Sequence, residues 1–320
     1  MYILGIDIGG TKCAVVLGKD EICENAPDII IAKKKFATEV KRGWRKIVDE
    51  LLDTASQVLA ENGVTDCETQ LKGIGISCGG PLSSSLGTIN CPPNLPDWDN
   101  VPIVKMFNDR FGVPVVLQND ANACAAAEWK FGAGRGTRNM MFLTFGTGMG
   151  AGLILDGKLY AGTDDLAGEV GHIRLAADGP EGYGKRGSFE GFCSGGGIAN
   201  LGKIMLCDAK KRGVPTVLNE NDLTAKSIAE AAIAGDITAK AVYAECAQRL
   251  GQALAVFVDL LNPEAIIIGS IYSRNEDFFA DTVREIINRE ALPAAAKTCK
   301  VLPAELGEHI GDFAALGLVI

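Results

Sequence analysis

Histidine is nearly missing from this chain of 320 residues: His172 and His309 are the only two. A zinc cluster of Cys and His ligands therefore has little material. Ten cysteines are scattered from Cys13 to Cys299, and none form a Cys-x-x-Cys pair. Several (Cys13, Cys78, Cys246) fall in apolar strand or helix patterns. They read as reduced, buried thiols of a cytoplasmic protein and not as a disulfide framework. Positive charge is not in excess: the net charge is −9 and the sequence pI is about 4.9. That argues against nucleic-acid binding, which needs clustered Lys and Arg. No basic segment followed by an apolar run opens the sequence, so no signal peptide is expected. The longest apolar segment, residues 250–261, carries Asp259 and is too short to span a bilayer, so no membrane partner is expected.

What is present is a globular composition, 47% hydrophobic and 22% charged, long enough for one large or two ordinary domains. The chain is organised around Gly5-Ile6-Asp7-Ile8-Gly9-Gly10-Thr11-Lys12. An apolar strand (residues 2–6) precedes the glycines and a second (residues 13–17) follows, so they occupy a hairpin turn. Glycine there permits positive φ and lets backbone amides approach a ligand. Successive exposed amides suit a phosphate. Asp7, at the end of a buried strand, is costly unless a cation faces it, and a hydrated Mg²⁺ carried by a nucleotide would serve. A lone Gly-Gly turn would be an ordinary hairpin. The device recurs, however: strand 139–145, then Gly146-Thr147-Gly148-Met149-Gly150, then strand 151–156. Two copies suggest an internal duplication, with both turns facing one nucleotide polyphosphate.

Between and after the copies, strands alternate with helices. The pattern predicts a strand over 29–36, a helix over 40–59 ending at Asn62-Gly63, and strands over 73–77 and 113–117. A long irregular stretch covers 79–98, and loops of that length are often functional. Gln118-Asn119-Asp120 leads into a helix over 121–131. An Asn-Asp pair there is a common helix cap, but it also places Asp120 at the carboxyl end of a strand, where α/β folds bind ligands. Glu169-x-Gly171-His172 adjoins a glycine-rich stretch, 179–197, that contains Glu190. A helical pattern over 228–261 breaks at Gly235-Asp236. A strand over 265–269, a helix over 278–287, a strand over 300–302 and a short apolar helix over 312–320 complete a mixed α/β chain.

Taken in order, these motifs resemble the ROK family (repressors, uncharacterised reading frames and sugar kinases) of the actin-like, hexokinase-type ATPase superfamily. Residues 7–12 look like its first phosphate motif, Phe145 to Gly150 its second, and Asn119-Asp120-Ala121-Asn122 the strand end with the catalytic aspartate. Glu169-Val170-Gly171-His172 is similar to the sugar-contacting segment. Leu261-Asn262-Pro263-Glu264 with Ile267-Ile268-Gly269 resembles the adenosine side. There are departures. The family's zinc-binding Cys-x-Cys-Gly-x-x-Gly-Cys-x-Glu aligns with residues 181–190, where Glu181, Tyr183 and Ser188 replace the cysteines. No structural zinc is expected. Ser270 stands where consecutive glycines are common, and the family's Pro-Gly-Pro reads Gly79-Gly80-Pro81.

The resemblance implies a two-domain actin-like (ribonuclease H-like) ATPase fold, α/β, with a nucleotide and sugar cleft between the domains. Residues 1–118, completed by a helix over 305–320, would form the smaller domain and 119–304 the larger. It implies ATP-dependent phosphorylation of a hexose, with glucose at its 6-hydroxyl as the default. N-acetylmannosamine, N-acetylglucosamine, mannose, allose, fructose and β-glucosides are the alternatives. Asp120 would be the general base. Gly80, Asn94, Asn119, Glu169, His172 and Glu190 would bind the sugar. Gly9, Gly10, Thr11, Lys12, Gly146, Thr147, Gly148 and Gly269 would bind ATP, and Asp7 would hold Mg²⁺ through water. Family repressors carry a helix-turn-helix domain before the first phosphate motif; with six residues before Asp7, none is expected. A homodimer is the expected assembly.

Overall fold

A computed structural model describes residues 1–21 and 26–319. Cys23 and the terminal Ile320 of the last expected helix lie outside the described residues. In chain order the principal elements begin with strands β1 (Tyr2–Ile8), β2 (Lys12–Lys19) and β3 (Ile30–Ala37), then helix α1 (Trp44–Glu61) and β4 (Leu71–Cys78). Helix α2 (Ile103–Phe111), β5 (Val115–Gln118) and α3 (Asp120–Phe131) follow. Next come β6 (Met140–Phe145), β7 (Met149–Leu155), β8 (Lys158–Tyr160), α4 (Gly195–Arg212), α5 (Ala225–Ile233) and α6 (Ile237–Leu261). The chain finishes with β9 (Ala265–Ile268), α7 (Ala280–Glu290), β10 (Lys300–Pro303) and α8 (Ile310–Gly317).

Two five-stranded sheets share one topology. The first has the order β3-β2-β1-β4-β5 and the second β8-β7-β6-β9-β10. In each, an antiparallel hairpin holds the centre, an antiparallel strand forms one edge, and two parallel strands complete the other side. The duplication read from the two glycine turns therefore extends to the whole sheet. Both turns join the first and second strands of their sheet, at the carboxyl end of the first.

The two halves exchange their last helices. Helix α3 leaves β5 of the first sheet but packs on the second: a Cβ on Gly152 of β7 would lie 2.5 Å from Ala125 Cβ. Helix α8 leaves β10 of the second sheet but packs on the first, where a Cβ on Gly75 would lie 1.9 Å from the Ala315 carbonyl oxygen. The helices meet each other through Phe131 and Phe313, whose ring centroids are 5.4 Å apart. Lys130 Nζ donates to the Val319 carbonyl at 2.9 Å. This position explains the sequence of α3. Covered by a sheet and by α8, it is alanine-rich, with Ala121, Ala123, Ala125, Ala126 and Ala127 all buried, because only small side chains allow such close approach.

Some elements depart from the sequence reading. The helix expected over 40–59 is interrupted at Gly43 (φ 85°), so a short 3₁₀ turn precedes α1. Helices α2 and α4 and strand β8 lie where no regular element is expected. The stretch 79–98, expected to be irregular, contains a short antiparallel ladder (Leu82–Ser83 with Thr88–Ile89) and is anchored in the core: Leu95 and Trp98 are buried, and Cys91 N–H donates to the Trp98 carbonyl at 2.8 Å. Among the described residues no helix is long and apolar enough to cross a membrane.

Candidate functional site

The first glycine turn is built around Thr38, which is fully buried at the end of β3 next to the turn. Its Oγ1 donates to the Gly9 carbonyl at 2.6 Å and its N–H to the Thr11 carbonyl at 3.0 Å. Gly9 N–H donates across the turn to the Lys12 carbonyl at 3.1 Å, whereas the Gly10 and Thr11 amides find no acceptor among the described residues. Neither Gly9 nor Gly10 takes positive φ, nor do Gly146 and Gly148 of the second turn, contrary to expectation. Crowding is the constraint on Gly10, and a milder one on Gly148. A Cβ on Gly10 would lie 2.7 Å from Asn94 Cβ, and one on Gly148 would lie 2.9 Å from Glu190 Oε2. Asp7 is half-buried beside this turn. Burial pushes its pKa up to about 6, opposed by the positive charge of Lys12 and reinforced by Asp120. Thr11 and Lys12 are exposed.

The second turn is fixed by two long-range contacts. Glu190 Oε2 accepts the Met149 amide at 3.0 Å, and the Gly146 carbonyl accepts the Gly195 amide at 2.7 Å. Gly195 opens α4, so the positive end of an 18-residue helix abuts the turn. Ser194 caps that helix by accepting the Gly197 amide at 2.9 Å. The amides of Thr147 and Gly148 have no acceptor among the described residues. Each turn thus presents unpaired donors, which suits an anionic ligand.

A cleft of about 840 Å³ runs past the second turn. Gly80, Asn119, Asp120, Gly146, Thr147, Gly148, Glu169, His172 and Glu190 all line it. Asn119 does two things: its Oδ1 caps α3 by accepting the Asn122 amide at 2.8 Å, and its remaining amide group is available to the cleft. Asp120 is open to the cleft, with Oδ1 accepting the Ala121 amide at 2.9 Å. Its pKa is raised, chiefly by desolvation, which makes it a stronger base than a free aspartate. Seven expected site residues lie outside this lining: Asp7, Gly9, Gly10, Thr11 and Lys12 at the first turn, and Asn94 and Gly269. Asn94 is exposed and packs against Gly10 at the first turn, outside the lining of this cleft. Gly269 is buried at the end of β9, beneath the Phe142 ring.

The segment from Glu169 to Glu190 is held by the polypeptide itself. Residues 181–182 pair with 185–186, and Gly187 N–H donates to the Pro180 carbonyl at 3.0 Å. Lys185 Nζ donates to the His172 carbonyl at 2.5 Å, and Arg186 Nε to Asp178 Oδ1 at 2.6 Å. The His172 ring meets Tyr183 edge-on, with centroids 5.1 Å apart. Ser188 Oγ is committed to capping the next turn by accepting the Gly191 amide at 3.1 Å. Glu181, Tyr183 and Ser188 thus do not fit a zinc ion. No group of three or more His, Cys, Asp or Glu that could hold a metal occurs among the described residues.

A second cavity of about 790 Å³ lies on the other side of Gly146 and Thr147, bounded by the start of α4, by α5, and by Ser270 and Arg274 after β9. The two cavities share only the turn, so a ligand with a polyphosphate in the middle could occupy both.

The sequence reading missed several lining residues. Asp165 accepts both the Ser84 amide (2.8 Å) and the Ser84 hydroxyl (2.5 Å), tying the loop after β8 to the loop after β4 at the cleft. Its left-handed backbone (φ 57°) between two glycine-bearing turns is the signal, and it is visible only in the folded chain. Thr144, a lining residue whose Oγ1 accepts the Gly150 amide at 2.9 Å, lies within the strand expected over 139–145, and Thr38, which supports the first turn, lies just beyond the strand expected over 29–36.

Comparison with known proteins agrees with this geometry. The sequence pattern of the ROK family matches residues 3–320. A glucokinase from Halalkalibacterium halodurans is 31% identical over 97% of this chain and 92% of its own length. A ROK family glucokinase from Streptomyces griseus, solved in complex with glucose and AMPPNP, superposes with a TM-score of 0.70 at 31% identity, covering 98% of both chains. A xylose repressor from Caldicellulosiruptor bescii is 28% identical over 99% of this chain and 78% of its own length. The chain therefore belongs to the ROK family and has its two-sheet, actin-like α/β fold.

Proposed function

We propose that this protein is a sugar kinase that transfers the terminal phosphoryl group of ATP to a hexose, with the 6-hydroxyl of glucose as first candidate. The observation that carries the reading is Asp120. It is a carboxylate with raised basicity at the strand-to-helix junction, in the same cleft as the unpaired amides of Thr147 and Gly148. The glucokinase relatives support it. Residues 1–118 with 305–320, and residues 119–304, are taken as the two halves that close on the ligands.

The sugar hydroxyl attacks the terminal phosphorus and passes its proton to Asp120 as the bond to the bridging oxygen breaks, leaving ADP. Phosphoryl transfer depends mainly on positioning and charge stabilisation. The amides of Gly10, Thr11, Thr147 and Gly148, the Lys12 ammonium and the positive end of α4 would supply the charge stabilisation. Asn119, Glu169, His172 and Glu190 would supply the partners that a polyhydroxylated ligand demands when buried. Asp7 is the side chain suited to face, through water, a magnesium ion that arrives with ATP and offsets phosphate charge.

A coupled ADP-release assay with MgATP against hexoses and N-acetylhexosamines tests this reading. Turnover on one sugar, reduced at least about a hundredfold in Asp120→Asn with sugar affinity preserved, is the expected result. Similarity to a repressor motivates a second reading, a sugar-binding regulator. Sugar binding by calorimetry without turnover on any sugar would favour it.

A further inference from the structure

We propose that Ser270 and Arg274 form a hydroxyl–guanidinium pair that binds a phosphate group of the nucleotide. The inference rests on the kinase reading above and adds residues which that reading does not use. Ser270 directly follows β9, at the carboxyl end of the second sheet, and has φ 55° and ψ −107°. That conformation is sterically disfavoured for any residue with a Cβ. A serine held there at a cavity wall indicates a use for its hydroxyl. Arg274 Nη2 donates to Ser270 Oγ at 3.0 Å, which uses one of the oxygen's two lone pairs and leaves its proton free to be donated. Ser270 Oγ also lies 3.7 Å from where a Cβ on Gly146 would stand, beside the second glycine turn. Both Ser270 and Arg274 line the 790 Å³ cavity, together with Gly146 and Thr147. Arg274 Nη1 donates to Glu308 Oε1 at 3.0 Å, an ion pair that ties the guanidinium in place and offsets part of its charge. The pair therefore offers the cavity a hydroxyl proton and the remaining guanidinium N–H groups, and an acceptor-only anion such as a nucleotide phosphate complements these donors.

The test compares Ser270→Gly and Ser270→Ala with the wild-type protein by calorimetry, using ADP and adenosine as probes, and by melting without ligand. Glycine relieves the backbone, so Ser270→Gly should melt higher than wild type and yet bind ADP about five- to tenfold more weakly, with adenosine unchanged. Ser270→Ala should lose ADP affinity to a similar degree without the rise in melting temperature. ADP affinity within twofold of wild type in Ser270→Gly would overturn the inference and leave the kinase reading standing. So would an equal loss for adenosine, which would place the hydroxyl on the nucleoside instead. If the wild-type protein bound no ADP, both would fall.

Discussion

Glu190 Oε2 accepts the Met149 amide at 3.0 Å, which couples the loop expected to hold the sugar to the turn expected to hold phosphate. One carboxylate oxygen is committed to that turn, leaving the other for a ligand. Glu190→Gln keeps an acceptor of the same length but loses the charge. It should raise the sugar KM about tenfold or more while leaving the ATP KM nearly unchanged. Glu190→Ala also releases the Met149 amide, so the KM for ATP should rise with that for the sugar. Steady-state kinetics with each substrate varied in turn separates the two cases.

Asp7 should make the free protein less stable at neutral pH than it is in mild acid. Burial is the main reason that its carboxyl is pushed up to about 6 in the folded chain, from an ordinary aspartate value of 3.8. The unfolded chain therefore gives up this proton earlier as pH rises. The contribution to stability is full below about pH 4 and is lost as pH climbs through about 6. Asp7→Asn should melt above wild type at pH 7.5, by roughly 1–3 kcal/mol in stability, with the two converging near pH 4. The same variant should lose most MgATP-dependent turnover. Thermal melts across pH, without ligand, give the first readout.

Much of this site was legible because its signals are local. A buried strand, a glycine turn and a returning strand can be read within twenty residues, and Asn119-Asp120 announces itself between a strand and a helix. What escaped was set by distant neighbours. Gly10 is crowded by Asn94 and Gly148 lies against the carboxylate end of Glu190, while neither takes positive φ. The Ser84–Asp165 bonds join residues 81 apart. Helix α4 was hidden by the three glycines of its first turn, poor helix formers that are kept where packing is tight. A Cβ on Gly197 would lie 2.4 Å from the Gly191 carbonyl oxygen. Helix α2 shows only Ile103, Phe107 and Phe111 as buried anchors, too few to stand out beside a long irregular stretch.

The Ser84–Asp165 contact predicts a binding defect without a chemical one. Both bonds run to the Asp165 carboxylate, and neither residue touches Asp120 among the described contacts. Asp165→Ala should loosen the cleft and raise the sugar KM several-fold, with kcat within about threefold of wild type. That is the scale of losing one or two partly exposed hydrogen bonds. A parallel collapse of kcat would mean that the contact governs the reacting geometry instead.

The exchange of helices predicts where the fold has least tolerance. A Cβ on Gly75 would meet the Ala315 carbonyl oxygen at 1.9 Å and Leu318 Cβ at 3.2 Å, so α8 cannot keep its seat on β4. The clash is with backbone, and no side-chain rotation relieves it. Gly75→Ala should therefore cost about 2–4 kcal/mol, in the range of severe overpacking. Gly63→Ala is the control: Gly63 has positive φ (74°) but no atom within 4 Å of the added Cβ, so only local strain of about 1 kcal/mol is expected. Because α8 leaves the second sheet to cover the first, Gly75→Ala should also loosen the junction of the two halves. Hydrogen exchange should then rise in α3 and α8 together and leave α6 protected. Protection lost in the first sheet alone would mean that α8 moves independently of α3, contrary to the packing of Phe131 on Phe313.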